Sequence, residues 1–344
     1  MKVFSKVVGL SALLLSLSSH ADNKVLNVYA WGGYLPEASL KAFEKQEGVT
    51  INYSTFENNE SMYTKLKLVK GSGYDVVFAS AYFIEKMGRE GLLAEIDHAQ
   101  VPNMGDAMEG LLGQAHDPDN RYSLPYIWGV TGISYNESLV DEPVTKWAQL
   151  WDAKYAQQVM LIDDIRDVFG MALKLNGHSI NTKNEDEIKQ AYESLVALRD
   201  NVLLYNSDAP QMPYVSGEAS VGMQWNGNAY QGQVEMPELK FVMPEEGAVL
   251  WMDNFTIPSG SQNKTLAHKF INFMYQAEQQ AEIVNSLGYA SATNAGRALL
   301  ADELKNNPTI FPAVEDIKKG EFINDVGAET LAVYEKYWQR LRTQ

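Results

Sequence analysis

The sequence predicts an α/β fold in which a mostly parallel sheet is flanked by helices and divided between two lobes. The chain has 344 residues, of which 45% are hydrophobic and 21% charged, an ordinary globular composition and a length sufficient for two domains. Short strand-like apolar runs alternate with segments of helical periodicity, which is typical of a sheet with helices on both faces. Two such units occur, with no long linker or low-complexity tract between them.

The first unit begins with a predicted buried strand at Leu26 to Trp31 and a helix with Pro36 in its first turn. Its further predicted elements are a strand at 50–56, a helix through Met62, Leu66 and Val69, a strand at 74–79, a short helix through Ile84 and Met87, and a pair of strands at 124–128 and 129–135. Ligands bind beyond the carboxyl ends of the strands in such sheets, where Trp31 to Tyr34, Ser54 to Asn58 and Ser80 to Tyr82 lie.

The second unit begins with a predicted strand at 159–162 and a helix opened by residues 163–167. Asn184 and Glu187 predict a capping box for a helix with Ile188, Tyr192 and Leu195 facing inward. The remaining predicted elements are strands at 221–225, 239–243 and 249–257 and helices at 266–275, 278–286, 295–304 and 328–341.

The first 21 residues have the pattern of a secretory signal peptide: Lys2 and Lys6, an apolar core at 7–17, and the small-x-small site Ser19-His20-Ala21. That core is too short to span a bilayer, and no later run of about 18 apolar residues occurs. The chain has no cysteine, which excludes disulfides, thiolate metal sites and a lipid-modified cysteine. We therefore expect an exported, soluble protein, most simply in a bacterial periplasm.

The formal net charge is −16, and removal of Lys2 and Lys6 with the signal peptide takes it to −18. An acidic surface repels nucleic acid and anionic membranes and attracts cations. Many exported proteins are acidic without binding cations, so the charge alone does not identify a ligand.

One candidate site motif is Trp251-Met252-Asp253-Asn254, in the apolar run at 247–257. Strand alternation places Trp251 and Asp253 on one face and Met252 on the other. A carboxylate beside an indole face suits an organic cation, since the acid accepts charge-assisted hydrogen bonds and the ring packs against methylene groups. The alternative is a tryptophan that covers a domain edge beside a turn aspartate.

A second motif is the acidic cluster Asp163, Asp164 and Asp167 at a helix start. Acids favour the first turn of any helix, which explains the cluster without a ligand. The spacing of Asp164 and Asp167 nevertheless places both on one side of the helix, at the end of a strand, and Arg166 could hold one of them in place. Six aromatic residues fall at strand ends or in loops: Trp31, Tyr34, Tyr82, Trp225, Trp251 and Tyr289. Each could serve packing alone, but together with the acids they predict a site for a flexible polycation.

Signals for catalysis are sparse, and we expect neither an enzyme nor a bound metal or cofactor. The five histidines lack zinc-ligand spacing and an evident nucleophile partner, and no phosphate-binding glycine loop is present. Two carboxylates could in principle form a glycosidase pair, so a secreted acidic hydrolase remains an alternative.

Over essentially the whole mature chain, the sequence resembles the periplasmic spermidine/putrescine-binding proteins of ABC importers. The segments that carry the resemblance are Trp31-Gly32-Gly33-Tyr34, Ser80-Ala81-Tyr82, Pro125-Tyr126-Ile127-Trp128-Gly129, Asp163-Asp164-Ile165-Arg166-Asp167, Trp225-Asn226-Gly227, Trp251-Met252-Asp253, Gly288-Tyr289 and Asn324-Asp325-Val326-Gly327. The resemblance implies a two-lobed, type II periplasmic binding protein fold, a clamshell whose lobes are mixed sheets flanked by helices and joined by a hinge. Residues 1–21 would be the signal peptide, 22–133 with 252–308 the N-terminal lobe, and 134–251 with 309–344 the C-terminal lobe.

The resemblance also implies the role of each site residue. Trp225, Trp251, Tyr34 and Tyr289 would box the methylene chain of a polyamine; Asp253 would bind one terminal ammonium; Asp164 and Asp167 would bind the other end and the secondary amine; Trp31, Ser80 and Tyr82 would line the cleft. Three positions depart from the family pattern: Ile323 replaces a ligand-contacting glutamine, Gly32 replaces a hydroxyl residue, and Asp167 replaces a longer glutamate. The preference among spermidine, putrescine and norspermidine is therefore open.

The function that we expect is capture of polyamines and their delivery to an inner-membrane ABC permease complex, by a protein that acts as a monomer. The main alternative is a periplasmic polyamine sensor that docks on the periplasmic domain of a signalling receptor, because both functions require the same pocket.

Overall fold

The computed structural model describes residues 24–108 and 110–343, so the predicted signal peptide lies outside the described residues. Strands and helices alternate through this part of the chain, as the sequence predicts. The strands are β1 Lys24–Trp31, β2 Val49–Phe56, β3 Val76–Ser80, β4 Ser123–Asn136, β5 Val159–Leu161, β6 Val202–Tyr205, β7 Val221–Trp225, β8 Leu239–Val242, β9 Val249–Thr256, β10 Ala290–Ser291 and β11 Glu321–Phe322. The helices are α1 Glu37–Glu47, α2 Asn59–Leu68, α3 Ala81–Arg89, α4 Ile165–Leu175, α5 Glu185–Leu198, α6 Met212–Val215, α7 Asn226–Glu235, α8 Lys264–Met274, α9 Ala277–Leu287, α10 Asn294–Ala298, α11 Asp302–Lys305, α12 Val314–Ile317 and α13 Ala328–Thr343.

The first half of the sheet has the order β2-β1-β3-β9. The first three strands are parallel, as βαβ connections require, and β9 returns antiparallel to β3. In this pairing Ser80, the last residue of β3, lies directly opposite Asp253 of β9. The sheet register therefore brings together two residues that are far apart in the sequence.

Strand β4 runs unbroken over 14 residues, all of them buried, where the sequence predicted a pair of strands. That prediction was wrong because Gly129, where the second strand was predicted to begin, is an interior packing position of a single strand. A Cβ at Gly129 would come within 2.4 Å of the Trp251 ring, and Gly129 pairs with Trp251 in the sheet. Strand β4 pairs with β9 along its first part and with β7 and β8 along its last part, and so belongs to both halves of the sheet.

The second half of the sheet continues from β4 in the order β7-β5-β6. Helix α4 contacts α5 and α13, and these three helices cover this half. Strand β6 was not predicted, although Val202–Tyr205 form a short apolar run; a run of four such residues does not by itself distinguish a strand from the end of the preceding helix, and all four are half-buried.

Two large apolar cores occupy the two halves of the molecule. The first is built around Phe43, Phe78, Phe255 and Phe270. The second is built around residues of β5, β7, α4, α5 and α13, including Phe169. The predicted limits of the two lobes stay a prediction, as does the hinge between them.

Two local predictions need correction. The helix predicted at 295–304 is divided into α10 and α11, because Leu300 turns into the core and the Arg297 guanidinium donates to the Lys305 carbonyl (3.0 Å), which folds the segment back on itself. Asn184 caps α5 by accepting from the Asp186 N–H (2.9 Å), while Glu187 accepts from the side chains of Thr182 and Asn184, so the reciprocal bond of a capping box is replaced.

No helix among the described residues combines the length and the apolar character that a membrane span requires.

Candidate ligand-binding site

Asp253 lies at the centre of a hydrogen-bonded group of side chains, where the carboxyl end of β3 pairs with β9. The Ser80 hydroxyl donates to its Oδ1 (2.5 Å), and the Tyr34 hydroxyl donates to its Oδ2. Only 6% of Asp253 is exposed, and this burial raises the pKa of its carboxyl to about 6 against the opposing effect of the two hydroxyl donors. Asp253 is thus a buried acid that is held in one orientation by neutral donors.

The turn that follows β1 carries two aromatic residues into this region. Tyr53 fixes the turn, because its hydroxyl donates to the Trp31 carbonyl and accepts from the Tyr34 N–H (3.2 Å). The rings of Trp31 and Tyr34 lie 5.0 Å apart. Gly33 has a φ of 67°, the left-handed region that glycine adopts without strain, whereas a Cβ at Gly32 would meet only open space. The glycine at position 32 therefore removes a side chain that the fold has room for.

Trp251 and Tyr289 form an edge-to-face pair with ring centroids 5.2 Å apart. Glycines make this arrangement possible: besides Gly129 on β4, Gly227 lies so close to the Tyr289 ring that a Cβ there would come within 2.4 Å of it. The Tyr289 hydroxyl donates to the Asn228 side chain (2.6 Å). Both rings are thus fixed by their surroundings, as the walls of a preformed pocket are.

Asp167 is the buried acid of the second half of the molecule, with 3% of its surface exposed. The Thr131 hydroxyl donates to its Oδ1 (2.7 Å) and the Trp225 indole N–H donates to its Oδ2 (2.9 Å). Thr131 and Trp225 are directly opposite each other in the pairing of the neighbouring strands β4 and β7. Burial, and then the charge of Asp164, raise the pKa of Asp167 to about 7.

Asp164 is the N-cap of α4 and accepts from the backbone N–H groups of Arg166 (2.8 Å) and Asp167 (3.1 Å). Burial raises its pKa, although these backbone bonds oppose the shift. Asp163, the third acid of the cluster, is exposed and forms an ion pair with Arg342 (2.8 Å), outside this group.

Arg166 is buried and binds backbone rather than acids. Its guanidinium donates to the carbonyls of Asn324 (3.0 Å) and Ile180 (3.2 Å), and its plane lies 5.7 Å from the centre of the Tyr82 ring. It orients the segment near Ile323 more directly than it orients the aspartates.

Ile323 is 5% exposed, and its N–H donates to the Leu250 carbonyl (2.9 Å). Because Phe322 pairs with Leu250, Ile323 lies next to the strand position of Trp251. This position therefore contributes an apolar side chain beside the aromatic residues.

The predicted acids lie within electrostatic reach of one another. The charge of Asp164 raises the pKa of Asp253, and the charges of Asp253 and Asp167 both raise the pKa of Tyr289. Among the ion pairs of residues 24–108 and 110–343, none includes Asp164, Asp167 or Asp253. Asp167 and Asp253 are buried, Asp164 is half-buried, and none of the three is ion-paired in the described part of the chain, although the charge of Arg166 lowers the pKa of Asp164 and Asp167. A buried charge without a paired cation is costly.

Sequence reasoning missed three polar residues of this region. Asn59 bonds to Ser80 and Tyr82, and Thr131 bonds to Asp167. Glu60 is half-buried, and burial followed by the charge of Asp164 raises its pKa to about 7. The one available signal was that Asn59 and Glu60 follow directly after a predicted strand end at 54–58. Across the described residues, no group of three acids or histidines is placed to hold a metal ion.

Comparison with known proteins identifies the family. The model of the bacterial extracellular solute-binding protein family matches residues 38–313. The chain belongs to this family. It is 41% identical to the spermidine/putrescine-binding periplasmic protein of Escherichia coli over 346 residues, which cover 99% of each chain. A Haemophilus influenzae protein named spermidine/putrescine-binding periplasmic protein 1 is 39% identical over 94% of this chain and 90% of its own length.

Solved structures of similar proteins show the same fold. The spermidine/putrescine ABC transporter substrate-binding protein PotD of Streptococcus pneumoniae superposes with a TM-score of 0.82 at 32% identity, covering 93% of this chain and 98% of its own. The TpPotD lipoprotein of Treponema pallidum gives a TM-score of 0.84 at 30% identity, covering 93% of this chain and 100% of its own. The resemblance that the sequence motifs indicated is confirmed, and so is the periplasmic binding protein fold.

Proposed function

We propose that this protein is the polyamine-binding component of an ABC import system and works in the periplasm. The observation that carries the proposal is the group of buried and half-buried acids Asp164, Asp167 and Asp253, which accept from neutral donors, form no ion pair in the described chain and lie among aromatic rings. The names of its relatives agree with such a ligand and such a compartment. The function is binding and release, without a chemical step.

A polyamine supplies what this site lacks. Its nitrogens resemble that of lysine, with a pKa of about 10 in water, so the ligand arrives charged. Each ammonium that leaves water needs an acceptor, and the acids provide charge-assisted ones. The methylene groups between the nitrogens pack against the rings of Tyr34, Trp225, Trp251 and Tyr289, which also attract the neighbouring charges.

The sheet register sets the length of the site. Asp253 pairs with Ile127 of β4, whereas the Thr131 side chain that holds Asp167 lies four residues further along that strand. At about 3.3 Å per residue, these two levels are about 13 Å apart. A triamine such as spermidine or norspermidine offers one nitrogen to each of the three acids at these levels, whereas a diamine such as putrescine leaves one acid without an ammonium, so the triamine suits the site better, with Asp253 at one terminal ammonium and Asp164 and Asp167 at the other end. Trp31, Ser80, Tyr82 and Ile323 line the rest.

The partner that follows from this function is an inner-membrane permease complex, which receives the polyamine from the protein as a monomer. Closure of two lobes about the ligand would create the surface that the permease recognises. Small-angle scattering with and without spermidine tests this step, since closure predicts a smaller radius of gyration in the presence of ligand. An unchanged radius would contradict the closure mechanism.

Thermal unfolding with a panel of compounds tests the function itself. Spermidine, norspermidine, spermine and putrescine should raise the unfolding temperature, because a ligand that binds only the folded state stabilises it. An uncharged diol of similar length and a dicarboxylate should not. Equal stabilisation by the diol would show that the acids do not select the ligand.

A further inference from the structure

Asn59 lies behind the candidate site, at the start of α2, and is 5% exposed. Its side chain makes three hydrogen bonds, all to residues at the end of β3. The Ser80 N–H donates to its Oδ1 (3.1 Å), and its Nδ2 donates to the Ser80 hydroxyl (3.0 Å) and to the Tyr82 hydroxyl (3.2 Å).

The orientation of this amide is determined by chemistry. A backbone N–H only donates, so the Asn59 atom that faces the Ser80 N–H must be the carbonyl oxygen. The other atom is then the NH₂ group, which only donates. The hydroxyl oxygens of Ser80 and Tyr82 are therefore both acceptors towards Asn59.

This orientation has a consequence for Asp253. A hydroxyl has one proton, and Asn59 offers Ser80 no acceptor on that side, so the Ser80 proton is directed to Asp253 Oδ1, 2.5 Å away. Donation by Asn59 to Ser80 also polarises the hydroxyl and strengthens the bond that it donates in turn. With the Tyr34 hydroxyl on Oδ2, both oxygens of Asp253 receive a proton donor while their remaining lone pairs stay free.

We propose that Asn59 is a positioning residue, which directs the Ser80 hydroxyl towards Asp253 and so keeps this carboxylate in the ionised form that accepts an ammonium group. Asn59 itself does not touch the ligand. The inference rests on the proposed function in one respect, that the ammonium belongs to a polyamine; the hydrogen-bond direction itself is a property of the ligand-free protein.

The test is therefore an NMR titration of the Asp253 side-chain carboxyl carbon in ligand-free protein, with the signal assigned through Asp253→Asn. Besides the two hydroxyl donors, the charge of Asp164 influences this carboxyl by raising its pKa, and the charge of Asp253 in turn raises the pKa of Tyr126 and Tyr289. Asn59→Leu, which has a similar shape without polar atoms, should raise the pKa of Asp253 by about half a unit or more, because the Ser80 hydroxyl is no longer directed.

A matched control is Asn58→Ala. Asn58 is exposed and caps the same helix by accepting from the Ser61 N–H (2.9 Å), so its removal weakens the start of α2 without touching Ser80. The titration of Asp253 should be unchanged in this variant. An equal shift in both variants would mean that Asn59 acts only through the stability of the helix, and would overturn the proposal.

A double-variant comparison tests whether the effect passes through Ser80. In a Ser80→Ala background, Asn59→Leu should no longer shift the Asp253 titration; a shift that persists, or no shift in either background, would refute the proposal. If Asn59→Leu does not fold, Asn59→Ala serves in the same comparison, since it also removes the donor to Ser80 and adds no charge. Calorimetric titration of the unaltered protein with spermidine fails only if the proposed function is wrong, so the two failures are distinguishable.

Discussion

Replacement of Asp253 by asparagine removes one negative charge from the candidate site while keeping the shape of the side chain. Asp253 is 6% exposed and has no cationic partner on the described chain, so an ammonium group of the ligand is its expected counter-charge. A hydrogen bond to a charged group contributes about 1.5–3 kcal/mol. At 1.36 kcal/mol per tenfold change, Asp253→Asn should weaken polyamine binding by about 10- to 150-fold.

The assay is calorimetric titration with spermidine at moderate salt, which screens non-specific attraction to the acidic surface. Folding should survive, because burial already disfavours the charged form of Asp253 and raises its pKa to about 6. Thermal unfolding of the ligand-free variant checks this point.

The matched control is Asp163→Asn, which removes the same charge from an exposed acid whose partner is Arg342. Its affinity for spermidine should stay within about twofold of that of the unaltered protein, as expected for an exposed ion pair. Unchanged affinity in Asp253→Asn, or an equal loss in both variants, would refute the assignment of Asp253 as a ligand-binding acid.

Four further predictions follow, three from the same group of charges and one from an ion pair beside it. Polyamine affinity should fall by about tenfold or more between pH 8 and pH 5. The pKa values of about 6 for Asp253 and about 7 for Asp167 mean that both acids become protonated in this range while the ligand stays charged. Calorimetric titration at several pH values measures the loss. In the ligand-free protein, the same two acids should make the folded state more stable as the pH falls through this window, because their pKa values in the folded state exceed those in the unfolded state. The unfolding temperature, measured as a function of pH, checks this prediction. Glu60→Gln should weaken spermidine binding by about three- to tenfold, because it removes a half-buried acid near Asp164. Arg89→Ala should raise the dissociation constant for spermidine by about two- to fivefold. The variant removes the ion pair (2.8 Å) that fixes Asp325 to α3, and Asp325 lies two residues after Ile323, which lines the proposed site.

Each of these predictions has a distinct failure. Stability of the ligand-free protein that does not rise as the pH falls would mean that the two acids do not have raised pKa values in the folded state. Constant affinity across the pH range would mean that neither acid binds the ligand in its ionised form. Unchanged affinity for spermidine in Glu60→Gln would mean that the charge of Glu60 does not contribute to ligand binding. For Arg89 the control is Arg121→Ala, whose arginine is as exposed as Arg89 and pairs with Glu95 within the first half of the molecule. An equal effect of both arginine variants would show that general charge, and not the contact with Asp325, changes the affinity.

The elements that the sequence predicted best are those whose pattern is local. Alternation alone placed Trp251 and Asp253 on one face of a strand, and the structure puts Trp251 against Tyr289 and Asp253 against Tyr34 and Ser80, while Met252 packs into a different cluster. The N-cap position of Asp164 likewise follows from acids before a helical pattern.

What the sequence could not predict depends on contacts between distant segments. The boundary predicted between residues 128 and 129 was wrong because the packing partner of Gly129, Trp251, belongs to a strand much later in the chain. Thr131 and Asn59 are ordinary polar residues in their own segments, and only the pairing of β4 with β7 and the packing of α2 against β3 bring them to Asp167 and Ser80. Burial of the acids, which raises their pKa values, is also a property of the assembled fold.

The most direct test of the account is a calorimetric titration with spermidine, at moderate and at high salt, of protein that has been unfolded, freed of carried-over ligand and refolded. The account predicts saturable one-to-one binding in the micromolar range or tighter that weakens but persists at high salt, because the ammonium groups meet buried acids rather than the acidic surface. Absence of binding by folded protein, or a signal that disappears entirely with salt, would contradict it.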